Sequence, residues 1–330
     1  MKRLRIIGTG SCLPDRVVAN SEVSGSLGIS AEQIERLTGI RERRWAADGQ
    51  ATSDLAIDAG RKALEAASCE ASAVDAVILS TTSPDMAFPS TACFVQRGLG
   101  CRGVGAFDVS ASCSGFLYGL SMADAMIRSG QVTTCLVVAA EVKSRFLDPM
   151  DDATAVLFGD GAGAVVVRGE DDQSPKGHGL LGIRLYADGS KHDLIRVPAG
   201  GSRRPASAET VAKKEHVLRM QGASLFRIAV RRVEQAVQDI LKEFGVRIEE
   251  VGQVVLHQAN GRILSQVAGR LGVPPERLTS VIERYGNTSS ASLPIALDAA
   301  VRGGKIAAGD LVLLGSFGGG LTWAAGLVRW

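Results

Sequence analysis

Apolar and polar positions alternate between two rhythms along this chain, and the rhythm changes at regular intervals. Short continuous apolar runs rich in β-branched residues read as strands buried on both faces. These are Leu4–Ile7, Val74–Leu79, Gly105–Val109, Leu136–Ala139, Val251–Leu256, Leu311–Leu314 and Ala324–Arg329. Between them, apolar residues recur at helical spacing over Ala31–Leu37, Ser53–Ala67, Ser90–Leu99, Ser114–Arg128, Gln221–Phe244, Arg262–Leu271 and Ala291–Val301. In Ser114–Arg128 the inner face is expected to carry Leu117, Leu120, Met122, Ala125 and Met126, with a stop at Gly130. Strands alternating with helices predict an α/β protein. Two stretches escape the pattern. Ala155–Phe158 and Ala164–Val167 look like strands flanking a glycine string, Gly159–Gly163, which reads as a β-turn; residues 170–214, rich in Gly, Ser, Pro and charge, read as a connection with a strand or two inside.

The pattern repeats. Cys113 precedes a helix, Gly130 and a strand; Asn287 precedes a helix, Gly304 and a strand, at an offset of 174 residues (287 − 113 = 174). The strands starting at Val74 and Val251 are offset by 177 (251 − 74 = 177). The expectation is an internal duplication, with halves 1–170 and 171–330. Cys113 and Asn287 then sit in matching turns that converge on a pseudo-twofold axis. His257, at the C-terminal end of a strand, joins them, because α/β proteins place functional groups there.

Composition narrows the class without changing this picture. The 330 residues are 45% hydrophobic and 22% charged, an ordinary globular balance. A net charge of +2 and few aromatics argue against a nucleic-acid surface. No apolar run approaches about 20 residues, and the N-terminus lacks a signal-peptide core, so a cytoplasmic protein with reduced thiols and no membrane span is expected. The six cysteines show no metal-ligand spacing. The basic stretch from Thr38 to Trp45 reads as a solvated loop able to meet a phosphorylated carrier.

The chemistry follows from Cys113. A cysteine at a helix start is favoured as thiolate by unpaired backbone N–H groups and the helix dipole, though a buried cysteine that merely fills space is the plain alternative. With an imidazole nearby it can exchange acyl groups with a thioester. His257 and Asn287 can both donate hydrogen bonds to a second thioester carbonyl, stabilising the enolate formed when a malonyl group loses carbon dioxide. Backbone N–H groups at Cys113 and within Gly318–Gly320 offer an oxyanion hole.

These residues and their surroundings resemble the β-ketoacyl-acyl-carrier-protein synthase III family, over nearly the whole chain. The resemblance rests on Ile6–Ser11, Thr38–Arg43, Phe88-Pro89-Ser90, Phe107-Asp108-Val109, Phe158–Gly163, His257–Asn260, Gly286–Ser289 and Phe317–Trp323. It implies a thiolase-like fold, internally duplicated, in a five-layered αβαβα arrangement with mixed sheets. It implies Cys113 as the acylated nucleophile, His257 and Asn287 as the decarboxylation pair, and Gly319 as oxyanion donor beside the Cys113 amide. Phe317 would shield the cleft. Gln258, Ala259, Asn260, Gly261 and Arg262 would meet the acyl carrier protein. A homodimer is implied, with Phe88 reaching toward the partner's pocket. The substrates would be acyl-CoA or acyl-carrier-protein thioesters, with no cofactor and no metal. Where acyl-CoA-primed members hold the nucleotide, this chain has Gln33, Leu37, Asp152 and Ala223. Loss of a stacking ring and a reversed charge predict a primer delivered by a carrier protein or as a less common acyl-CoA. Two other readings stand beside condensation. One is a related acyltransferase or synthase of a specialised pathway with an atypical donor; the other is a catalytically silent carrier-protein-binding module.

Overall fold

Two five-stranded sheets carry the molecule. The computed structural model describes residues 2–25, 27–171 and 177–330. In spatial order the first sheet is Lys2–Cys12, Gly161–Asp171, Thr134–Glu141, Ala76–Ser80 and Gly105–Val109. The second is Gly179–Ala187, Thr322–Arg329, Leu311–Gly318, Gln253–Leu256 and Leu278–Thr279. Read in this order, both sheets have the same succession of pairings: antiparallel, antiparallel, parallel, parallel.

Packing sorts the helices into three layers around these sheets. Gly115–Arg128 and Ser292–Arg302 lie between them, and their Phe116, Leu117, Leu120, Leu293, Ile295 and Leu297 share one core with residues of both sheets. Thr52–Ala66 and Thr91–Leu99 cover the outer face of the first sheet. Gly222–Glu243 and Gly261–Leu271 cover the second. The result is the five-layered, duplicated α/β thiolase-like fold. Middle-layer helices are apolar nearly all round because sheets press on both sides.

The structural repeat is 177 residues, and it revises the pairing of the two turns. Ala76 and Gln253, Ser112 and Ser289, Gly115 and Ser292, and Thr134 and Leu311 are each 177 apart (289 − 112 = 177). Cys113 therefore matches Ser290, not Asn287, and Asn287 sits three residues earlier. The offset of 174 holds only at the helix ends, Arg128 and Arg302 (302 − 128 = 174), because Gly115–Arg128 has 14 residues and Ser292–Arg302 has 11.

Other expectations shift for identifiable reasons. The inner face of Gly115–Arg128 carries Phe116, Ala123 and Ile127, while Met122 and Ala125 are exposed. The first strand continues through Gly8 and Gly10 to Cys12, because those glycines let the helix Thr52–Ala66 lie directly on the backbone: a Cβ at Gly10 would stand 2.5 Å from Ala59 O. Ala155–Phe158 is a helix end and turn rather than a strand, and Gly161 and Gly163 lie inside a strand, so the glycine string is no β-turn. The irregular connection contributes a full edge strand, Gly179–Ala187, while residues 172–176 lie outside the described residues. Thr38–Trp45 is not a solvated loop. Glu42–Trp45 is a strand paired with Arg16–Ala19, and Arg43 is fully buried, donating to Val18 O at 3.3 Å and Val156 O at 2.8 Å. Burial pushes its guanidinium down to about 10. No helix among the described residues is long and apolar enough to cross a membrane.

Candidate active site

The strand Gly105–Val109 feeds a tight turn, Ser112–Ser114, which opens the helix Gly115–Arg128. Ser112 takes a left-handed backbone conformation, φ +50°, which a non-glycine residue holds only when its surroundings fix it. Here a web of bonds does so. Gly319 N–H donates to Ser112 Oγ at 3.1 Å, Ser114 Oγ donates to Thr322 O at 3.1 Å, and Thr322 Oγ1 donates to Ala111 O at 2.9 Å. Only glycine fits at 318, where a Cβ would lie 2.6 Å from the Cys113 nitrogen. Cys113 is thus seated by both halves of the chain.

Behind the sulfur lies a buried polar network that sequence reasoning missed. Cys113 Sγ is 3.4 Å from Ser289 Oγ, whose hydroxyl donates to Glu141 Oε1 at 3.1 Å. Ser290 Oγ donates to the same oxygen at 2.9 Å. Ser83 Oγ and Thr82 N–H donate to Oε2 at 2.5 and 3.1 Å, and Lys143 Nζ stands 3.1 Å from it. Glu141 is fully buried. Burial works to raise its carboxyl, but Lys143 and the donors from Ser83, Thr82 and Ser290 outweigh it and hold the group below the usual carboxylate range. A signal was present: Glu141 follows directly on the apolar run through Ala140, and a charge at the end of a doubly buried strand needs partners.

Cys113 is correspondingly not a resting thiolate. Burial pushes its thiol up and Glu141 adds to this, outweighing opposing contributions from Lys143 and Ser112. Desolvation outweighs the helix start that favoured ionisation.

His257 follows the strand Gln253–Leu256 and is anchored by its N–H to Gly315 O at 2.8 Å. Burial pushes its imidazole down to about 3, so it is uncharged at neutral pH. Its Nδ1 has no partner among the described residues. Asn287 is oriented by its neighbour: Ser289 N–H donates to Oδ1 at 2.9 Å. A backbone N–H can only donate, so the atom facing it is the oxygen, and Nδ2 turns the other way, 3.4 Å from Ala259 O.

Cys113, His257, Asn287, Phe317 and Gly319 all line one cavity of about 590 Å³. Its walls are largely apolar, with Leu157, Phe226 and Ile263 among them. Leu37, Asp152 and Ala223 line it as well, and Arg262 is the one cation among the described lining residues. Gln33 is exposed and outside the lining. Phe88 is 86% exposed and stands apart from the cavity within this chain. The segment expected to meet a carrier protein divides. Gln258 is buried and does not reach the surface: Nε2 donates to Leu256 O and Thr279 O, and Oε1 accepts from Val281 N–H. Asn260 caps the next helix by accepting from Arg262 N–H. Gly261 packs on Thr38 and Gly39. Ala259, Asn260 and Arg262 line the cavity, and of the five only Arg262 is exposed.

Similar proteins carry the same architecture. Residues 107–189 match the family described as 3-Oxoacyl-[acyl-carrier-protein (ACP)] synthase III, and residues 241–330 match its C-terminal counterpart. A beta-ketoacyl-[acyl-carrier-protein] synthase III of Rhizorhabdus wittichii is 46% identical over 330 residues, covering 100% of both chains. The crystal structure of 3-oxoacyl-[acyl-carrier-protein] synthase III from Aquifex aeolicus is 43% identical, with a TM-score of 0.90 over 99% of this chain and 100% of that one. The priming beta-ketosynthase of the R1128 polyketide pathway is 34% identical, with a TM-score of 0.91 over 99% of this chain and 96% of that one.

Proposed function

Because the chain belongs to the β-ketoacyl-[acyl-carrier-protein] synthase III family, it is an acyltransferase that performs the family's condensation in fatty-acid biosynthesis, and we propose that Cys113, His257 and Asn287 carry the chemistry. The observation that carries this reading is their meeting in one largely apolar cavity. In the first half-reaction the Cys113 sulfur attacks an acyl thioester and holds the acyl group. In the second, malonyl-acyl carrier protein loses carbon dioxide, and the carbanion attacks the Cys113 thioester to give a β-ketoacyl-acyl carrier protein.

Each role has a physical ground. An uncharged imidazole at His257 donates one hydrogen bond without adding a charge that would bind the malonyl carboxylate and hold it back. Asn287 presents an amide N–H that does not titrate. Together they stabilise the enolate oxygen in a site where burial strengthens such bonds. The Cys113 and Gly319 amides form the oxyanion hole for acyl transfer. The incoming oxygen competes there with Ser112 Oγ for the Gly319 N–H. Phe317, in the strand Leu311–Gly318, shields the cleft. Residues 1–170 supply the nucleophile, and residues 171–330 supply the decarboxylation pair. Arg262 is the contact point for the carrier protein. Phe88, the most exposed large apolar side chain among the described residues, is buried on forming a homodimer. The protein works in the cytoplasm.

Leu37 and Asp152 on the cavity favour a primer that does not rely on a gripped nucleotide. Asp152 repels a phosphate, and Leu37 offers it no charge. A screen of CoA against carrier-protein thioesters, read as the intact-mass adduct on Cys113, tests both points. Acylation is expected to be faster from carrier protein. An adduct that survives in Cys113→Ala removes the assignment.

A further inference from the structure

The Cys113 sulfur has an outlet for its proton on the side away from the substrate. Ser289 Oγ, 3.4 Å from Sγ, carries a single proton. That proton faces Glu141 Oε1 at 3.1 Å, and an ionised carboxylate can only accept. Ser289 therefore meets the sulfur with a lone pair, and the S–H must donate. The direction of the chain is fixed: thiol to hydroxyl to carboxylate. Neither Ser289 nor Glu141 lines the cavity, whereas Cys113 does. The charged groups facing the chain are Glu141 itself and Lys143. Thr81, Thr82 and Ser83, from the end of the strand Ala76–Ser80, and Ser290 present only hydroxyls and amides. His257, on the cavity side, contributes an uncharged ring.

We propose that Ser289 and Glu141 form a proton relay that takes the Cys113 proton during acylation and returns it during condensation. The inference rests on Cys113 being the acylated nucleophile. In acylation the sulfur lone pair forms a bond to the donor's carbonyl carbon. The S–H proton passes to Ser289 Oγ as the Ser289 proton passes to Glu141. The donor's carbon–sulfur bond then breaks, and the donor thiolate leaves and takes a proton from water. In condensation the carbanion left by departing carbon dioxide bonds to the Cys113 acyl carbon, and the electron pair of the broken bond stays on sulfur. The proton held on Glu141 returns through Ser289, restoring thiol and carboxylate. Without the relay each cycle would expel a bare thiolate beside a buried anion, a pairing that the interior strongly disfavours.

Ser289→Ala removes one oxygen and cuts the chain while keeping the Glu141 charge. The experiment is single-turnover acylation of the full-length protein, with acetyl-CoA and acetyl-carrier protein as donors, read by quenched intact mass from pH 6 to 10. At pH 6.5 the variant is expected to acylate about a hundredfold more slowly than the native protein. The gap should close toward high pH, where the thiol ionises without help. Glu141→Gln should show the same profile, and Ser289→Thr, which restores the hydroxyl, should recover the rate. A deficit of equal size at every pH would mean a packing role and overturn the relay, as would no deficit. If the native protein gave no Cys113 adduct with either donor, the nucleophile reading itself would fall, and the relay with it.

Discussion

The turn Ser112–Ser114 and the turn Ser289–Ala291 share a backbone but not a task. Each follows the last parallel strand of its sheet, opens a middle-layer helix, and begins with a serine in the left-handed region, φ +50° and +52°. The first then presents Cys113 to the cavity. The second presents Ser290, whose hydroxyl is turned onto Glu141. The same divergence recurs at other matched positions, 177 residues apart. Ser80 matches His257, and Glu141 matches Gly318. Duplication thus supplies paired positions around one axis. Chemistry came from making the members of each pair different: polar proton-handling groups behind the sulfur, and hydrogen-bond donors with apolar walls in front of it.

The comparison breaks most completely at Cys113. Cys113→Ala should abolish the acyl adduct and lower condensation on the order of 10⁴-fold, whereas Ser290→Ala, at the matched position, should leave the adduct intact. Intact mass and product assay check both.

His257 offers the next largest effect, on stability. Its folded-state value is about 3, below the 6.5 of an exposed imidazole. Between these values the unfolded chain binds a proton that the folded chain refuses, so stability falls as pH drops from 6.5 toward 3. The slope from this group reaches about 1.4 kcal/mol per pH unit. Denaturant unfolding across that range should be shallower by this amount in His257→Gln. A smaller effect is expected at Gly318, the counterpart of Glu141. Gly318→Ala forces a methyl against the Cys113 nitrogen and should cost about 1–3 kcal/mol, with slower acylation, measured by thermal melting and the adduct rate. The smallest is at the surface. Arg262→Glu should raise the KM for carrier protein several-fold with kcat unchanged, since an exposed charge acts mainly on encounter.

Much of this was legible in the chain. Apolar runs located the strands because both sheets are covered on both faces, and the helical stripes located the layers. The glycine string misled because Gly161 and Gly163 are spaced for the close approach of the helix Ser292–Arg302, which shows no trace locally. Arg43 misled because nothing beside it announces that its guanidinium turns inward to carbonyls far away in sequence. Cys113, His257 and Asn287, which line one cavity, stood out by residue type and by position, His257 at a strand end and the other two at helix starts. Ser289 did not, because its contact with Glu141 spans 148 residues, and at Glu141 the one signal was a charge closing an apolar run. Gln258 illustrates the reverse, a residue beside the site whose hydrogen bonds serve the fold alone.

On the proposed roles, Cys113 carries acyl transfer while His257 and Asn287 carry decarboxylation. The direct measurement loads the His257→Ala/Asn287→Ala double variant with acyl donor and then adds malonyl-carrier protein, following the Cys113 adduct by mass and carbon dioxide by release. The adduct is expected to form and persist while carbon dioxide release falls at least on the order of a hundredfold. Carbon dioxide released at the native rate, or failure of Cys113 to acylate, would contradict these roles.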